Sequence, residues 1–80
     1  MDRAMLHEHL EQAKRHVAEG AQHIARQKLI IADLEAIVSD AKEAWRLLIN
    51  FETIQEMHIA DLARIERELA VLDSHEKFSL

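Results

Sequence analysis

The sequence predicts an all-α fold, namely an antiparallel two-helix hairpin resembling a coiled coil that dimerises into a four-helix bundle. Three observations lead to this fold class. The 80-residue chain has no Pro, no Cys and one Gly, whereas β-rich folds need repeated turn residues. Apolar residues recur with heptad spacing in both halves. A helix-capping signal separates the two halves.

The first half carries an apolar stripe whose spacing alternates between four and three residues. This is the a/d pattern of helices that pack side by side. Asp2 stands where its side-chain oxygen can cap the start of a helix. The pattern predicts a helix from about residue 3 to about residue 37. The stripe consists of Leu6, Leu10, Ala13, Val17, Gly20, Ile24, Gln27, Ile31, Leu34 and Val38.

The second half carries its own stripe, which is offset from the first by one residue near Ser39 and Asp40. Asp40 and Glu43 have the spacing of a capping box, which marks a new helix start. We therefore expect one helical domain over residues 1–80, with a turn at about 38–40 and a second helix at about 41–75. The stripe consists of Ala44, Leu48, Phe51, Gln55, His58, Leu62, Ile65, Leu69 and Leu72.

A second fold stays open at this stage. The segment from Ile37 to Ser39 contains no Gly to adopt the left-handed conformation that ends many helices. The alternative is therefore one long continuous helix that pairs with a second chain.

The chain has more apolar residues than one hairpin can bury, because each helix buries a single stripe. Clustered apolar residues beside a stripe indicate another interface, and a symmetric dimer of hairpins would cover them. The alternative is a monomer in which these side chains lie singly on the surface. The predicted interface residues are Ile30, Ile37, Trp45, Leu47, Ile54 and Met57, and Ile49 and Ile59 also flank the second stripe.

Four stripe positions are not apolar: Gly20, Gln27, Gln55 and His58. A turn near residue 40 places Gln27 and Gln55 at about the same level, with Gly20 and His58 within about one helical turn. Buried polar side chains that hydrogen-bond one another fix the register of packed helices. We interpret the four residues as a polar layer in the core, in which Gly20 leaves room for His58.

Histidines near this level suggest an alternative role, the binding of zinc or haem in the bundle core by His23, His58 and His16. Helical bundles hold such groups with side chains from facing helices. The chain has neither the H-E-x-x-H nor the Glu-x-x-His spacing, so the ligands would have to come from two helices or two chains. If these histidines do not bind zinc or haem, we expect no cofactor. We expect no catalysis, since no nucleophile has an obvious paired base.

Charge narrows the range of partners. The net charge is −5 and no basic face stands out, which argues against binding nucleic acid or an anionic membrane surface. No apolar run approaches the ~20 residues that span a bilayer, and the first residues do not resemble a signal peptide. The sequence therefore predicts a cytoplasmic homo-oligomer that acts through protein–protein contacts, with itself and with an unknown protein partner.

Two segments resemble a family of short bacterial helical proteins whose function is not known. The first runs from His16 to Gly20 and continues from His23 to Gln27; the second contains Phe51-Glu52, Gln55 and the His58-to-Asp61 segment. The resemblance covers roughly residues 8–70. Family members have an Asp-Gly-His-Asp-like turn between the halves, of which this chain keeps only Asp40. The resemblance implies a small cytosolic helical protein.

Overall fold

The computed structural model describes residues 2–37 and 40–78, which form an antiparallel two-helix hairpin. Helix α1 spans Arg3–Ile37 and helix α2 spans Lys42–Phe78, and the hairpin measures 66 × 15 × 14 Å. The predicted all-α hairpin is confirmed. The alternative of one continuous helix is wrong, because α2 runs back along α1. Residues 38 and 39 of the predicted turn lie outside the described residues.

Both helices begin with an aspartate whose side chain accepts a backbone hydrogen bond. Asp2 Oδ1 accepts from the N–H of Met5 at 2.8 Å, which is the geometry of an N-cap. Asp40 Oδ1 accepts from the N–H of Lys42 at 3.1 Å. Glu43, the expected partner of Asp40 in a capping box, accepts from Arg46 instead. Helix α2 therefore begins at Lys42, slightly later than predicted.

The two predicted stripes form the buried seam between the helices. At the open end, which is the end away from the connection, Leu6, Ala13, Ile65 and Leu69 form a buried cluster. Partly buried Leu10, Leu62 and Leu72 pack against it. The heptad pattern thus correctly identifies the core-facing side of each helix. The buried apolar residues are Leu6, Ala13, Ile31, Ala41, Leu48, Ile65 and Leu69.

Contacts between the helices align them along their whole length. At the open end Arg3 forms an ion pair with Asp73. In the middle Gln55 Nε2 donates to the carbonyl of Val17 at 2.8 Å. Near the connection Gln27 Nε2 donates to the carbonyl of Ala44, also at 2.8 Å. These contacts fix one register between the stripes.

The hairpin exposes more surface than a compact monomer of its mass. Its accessible surface is 6250 Å², whereas about 5,000 Å² is typical for a globular monomer of this size. The difference arises because two helices cover each other along one stripe only. Burial of apolar surface drives folding. A single hairpin leaves several large apolar side chains exposed, so their burial does not contribute to its stability.

Replacing a buried isoleucine should reveal how far stability depends on the seam. We expect Ile65→Ala to reduce the free energy of unfolding by about 2–4 kcal/mol, because Ile65 is 2 % exposed and the change leaves a cavity. Ile59→Ala is the matched control in the same helix, and its 51 % exposure predicts a loss below about 0.5 kcal/mol. Urea unfolding at one fixed protein concentration measures both. Equal losses would contradict the assigned core.

Candidate functional site

Three of the six histidines meet in a groove between the helices, at mid-length of the hairpin. The groove has a volume of about 250 Å³. We call it the histidine groove. It contains the three histidines predicted as alternative metal ligands, so the structure brings those residues to one place. The lining residues are His16, Glu19, Gly20, His23, Phe51, Ile54 and His58.

Within the groove, His16 and His58 form a pair across the two helices. Their ring centroids are 5.1 Å apart and the ring planes are tilted by 41°. His23 instead packs on Phe51, with ring centroids 5.7 Å apart. His16 and His58 are half-buried, whereas His23 is exposed. The three histidines therefore divide into a contacting pair and a neighbour that stacks on an aromatic ring.

The heptad pattern explains why these side chains converge. His16 and His23 each precede a stripe residue and are seven residues apart, so they lie on the same side of α1. His58 is itself a stripe residue of α2. In an antiparallel pair, a residue that flanks one stripe borders the facing stripe. The spacing thus places His16 on the side of α1 that borders the stripe of α2, and the register between the helices sets it opposite His58.

A smaller groove of about 150 Å³ continues from this pair toward the open end, and His9, His16, Asp61 and Arg64 are among its lining residues. Arg64 donates to Asp61 at 2.6 Å and to Glu68 at 2.9 Å. The hydrogen bond to Asp61, followed by that to Glu68, raises the pKa of the Arg64 guanidinium above its ordinary value. The charged side chains Asp61, Arg64 and Glu68 near this smaller groove are therefore paired with one another.

The sequence pattern predicts that Gly20 leaves room for His58. In the structure, Gly20 instead provides space for the side chain of Gln55. A Cβ atom at position 20 would overlap Oε1 of the Gln55 side chain. That side chain is held in place by its hydrogen bond to the carbonyl of Val17. Gln55 Oε1 is buried and has no hydrogen-bond partner. Gly20 has no positive φ, so its missing side chain, and not its backbone freedom, is what the packing uses.

Gln55 and His58 lie near Gly20, but Gln27 does not share their level, so the four residues do not form the predicted single polar layer. Gln55 lies against Gly20, and Gly20 precedes Gln27 by seven residues, or about 10 Å along α1. Each glutamine bonds a backbone carbonyl of the other helix instead of bonding the other glutamine. The reason lies at the connection, where α1 continues past the level at which α2 begins.

The overlap at the connection is visible in the surroundings of Glu35. This residue shares a surface groove with Asp40, Ala41 and Trp45, and Ile37, further along α1, is 84 % exposed. Compared with a chain reversal centred on residue 40, the start of α2 therefore lies about two helical turns closer to the open end. This shift is one heptad, so the stripes still face each other.

Two rows of residues with heptad spacing define the side of the hairpin that contains the histidine groove, and we call this side the histidine face. Its rows are apolar near the connection and polar near the open end, although exposed Val71 lies beside His75 on the open-end half. The row on α1 is His9, His16, His23, Ile30 and Ile37, and the row on α2 is Leu47, Ile54, Asp61, Glu68 and His75.

Five of the six predicted interface residues belong to this side. Met57 is one turn from Ile54 and extends the apolar half. We call this set the apolar patch, and all of its members are exposed in the hairpin: Ile30, Ile37, Leu47, Ile54 and Met57. The sixth predicted residue, Trp45, lies on the opposite side, where it shares a groove with Glu35 and Ile49. Trp45 therefore does not belong to the apolar patch formed by the other five residues.

No protein-family model, no curated protein and no solved structure matches this chain. The resemblance to short bacterial helical proteins thus stays a prediction. Neither helix, over the part of the chain that is described, has an apolar stretch long enough to cross a membrane. Among the same residues, no three His, Asp or Glu side chains are grouped so that they could hold a metal ion.

A double-mutant cycle should test the contact between Gly20 and Gln55. Gly20→Ala improves helix propensity by about 1 kcal/mol, but it displaces the Gln55 side chain and breaks its buried hydrogen bond, which costs about 2 kcal/mol. We expect a net loss of about 1 kcal/mol in the otherwise unchanged protein. In the Gln55→Ala background, Gly20→Ala should instead stabilise the protein by about 1 kcal/mol. Chemical denaturation of the four proteins measures this, and purely additive effects would refute the contact.

Proposed function

We propose that the protein is a non-enzymatic homodimer, a four-helix bundle of two hairpins, that acts through protein–protein contacts. The observation that carries this proposal is the apolar patch. Its side chains are between 41 % and 84 % exposed in the single hairpin. Contiguous apolar patches of this kind are uncommon on monomers and mark interaction sites.

The dimensions of the hairpin support an interface of ordinary size. A helical pair 66 Å long and 15 Å wide can bury on the order of 800 Å² per copy along one side, which is the amount typical of stable protein–protein interfaces. The apolar patch covers only about half of that length. The remainder of the histidine face would form the polar part of the interface, as is usual around an apolar centre.

Charge supports a second copy as the occupant of this side. Two copies that each carry a net charge of −5 repel one another unless their contact surfaces avoid like charges. The apolar patch contains no charged residue. On the polar half, Asp61 and Glu68 are already paired with Arg64. This pairing on the polar half, together with the uncharged apolar patch, lowers the repulsion between identical copies that approach on the histidine face.

The same features support a role without catalysis. The described residues that line the histidine groove include no Ser, Thr or Cys that could act as a nucleophile. The acidic net charge argues against nucleic acid and anionic membranes as partners, and it fits a cytoplasmic protein. Trp45 and Ile49 stay accessible on the opposite side of the proposed dimer. Tryptophan is frequent at the centres of interfaces, so this side is where a different protein partner would bind.

Two isoleucines of α2 provide a matched test of the dimer. Ile54 and Ile49 are 47 % and 58 % exposed, but they lie on opposite sides of the hairpin. We expect Ile54→Glu to weaken dimerisation by roughly 100-fold, because it buries an unpaired charge in the interface. Ile49→Glu should leave dimerisation unchanged. Sedimentation velocity at micromolar concentration in EDTA measures the oligomeric state, and circular dichroism checks that both variants remain helical.

A wild-type protein that sediments as a stable monomer at these concentrations would refute the proposal. Equal effects of the two substitutions would refute the assignment of the interface to the histidine face.

A further inference from the structure

We infer that two copies of the chain together bind one zinc-like transition-metal ion through His16 and His58 of each copy. This inference rests on the proposed dimer and adds a ligand to it. It replaces the predicted ligand set of His16, His23 and His58 by two identical pairs of His16 and His58 from two chains.

The geometry of the pair suits a shared metal ion. Zinc binds imidazole nitrogen at about 2.0–2.1 Å, so two imidazoles on one tetrahedral ion have ring centroids about 5.2 Å apart. The observed separation of His16 and His58 is 5.1 Å. Both side chains are half-buried and line the same groove. Their separation is therefore compatible with both imidazoles binding one ion.

One hairpin cannot complete such a site. Zinc sites that stabilise structure use four protein ligands, and no group of three suitable side chains occurs within the described residues of a single chain. His23 is the nearest additional histidine, but it packs against Phe51 at 5.7 Å. The missing ligands must therefore come from another molecule.

The distribution of polarity along the histidine face determines how the second copy must be oriented. Two hairpins can pack with their connections side by side or at opposite ends. Only the first arrangement sets the apolar patch of one copy against that of the other. The second would bury the apolar patch against the polar half that contains His9, Asp61 and Glu68. Burial of apolar against apolar surface is favourable, whereas burial of unpaired polar groups is costly.

The favoured arrangement has a two-fold axis parallel to the helices, so every residue faces its own level in the partner copy. His16 and His58 of one copy then lie opposite His16 and His58 of the other. Four imidazoles reach one level, which matches the coordination number of zinc. The interface that covers the apolar patch thus completes the metal site.

The donor set indicates the class of ion. Four neutral imidazoles suit zinc, copper and nickel, and they disfavour calcium and magnesium, which require oxygen ligands. Haem fits this pair less well than an ion does, since the His16 and His58 rings contact each other and leave no gap for a porphyrin between them. Glu19 also lines the groove, and a carboxylate beside a metal-bound histidine commonly orients its ring.

The decisive experiment titrates zinc chloride into protein that has been stripped with EDTA and dialysed. Isothermal titration calorimetry should show half an equivalent of zinc per chain, and cobalt(II) should give the visible absorption of a tetrahedral site. We expect His16→Ala and His58→Ala each to weaken zinc binding by more than about 100-fold. Each substitution removes two of the four ligands of the symmetric site, and loss of even one ligand exceeds the 10–100-fold effect of losing a ligand's hydrogen-bond partner. His7→Ala, an exposed histidine outside the grooves, should bind zinc normally.

A second dimer variant separates this inference from the proposed function. Leu47→Glu, in the apolar patch but outside the histidine groove, retains all six histidines and should lose tight zinc binding together with the dimer. A wild-type protein that dimerises in EDTA but binds no zinc overturns the metal site and leaves the proposed function intact. One tightly bound zinc per monomeric chain, or an equal loss in His7→Ala, also overturns the site. A wild-type monomer both with and without zinc overturns the dimer and the metal site together.

Discussion

The register between α1 and α2 is the constraint on which the other features depend. The heptad stripes of two antiparallel helices can pack in several registers that differ by whole heptads, and each keeps apolar side chains in contact. Here Gly20 receives the Gln55 side chain, whose amide bonds the carbonyl of Val17. A slip of one heptad would move the facing residues by about 10 Å. It would preserve most of the apolar seam but would separate His16 from His58.

The buried polar contacts thus select among registers that the apolar residues leave nearly equal. Net stabilisation from one hydrogen bond is modest, at about 1 kcal/mol, but leaving a buried amide without partners costs more. Gln55 is one of these buried amides, and its Nε2 group bonds the carbonyl of Val17. Gln27 makes a similar contact with the carbonyl of Ala44 nearer the connection. Specificity of this kind lowers stability while it excludes competing structures.

The narrow core of the two-helix hairpin would link folding to association in the proposed dimer. The seam buries one stripe per helix and leaves the apolar patch exposed. A partner that binds only the folded state adds to its stability by mass action. In the proposed dimer, the apolar patch would contribute this stabilisation, and the two histidine pairs would add to it when a metal ion is present. The protein would then be most stable in the form that carries its complete site.

The sequence predicts the helices, the seam and the side of the hairpin on which His16, His23 and His58 lie, because these follow from periodicity within each helix. It does not predict that Gln27 and Gln55 lie at different levels. A spacing of four and three residues is unchanged by a slip of one heptad, and only the fit of Gln55 to Gly20 distinguishes the registers. The location of Trp45 on the opposite side can be predicted from the sequence, since its heptad position differs from that of Leu47.

The ion pair of Arg3 with Asp73 at the open end also has a mechanical consequence. A force applied at these two residues would open the hairpin as a zipper, one layer at a time, and the first large layer to resist would be the cluster around Leu6 and Leu69.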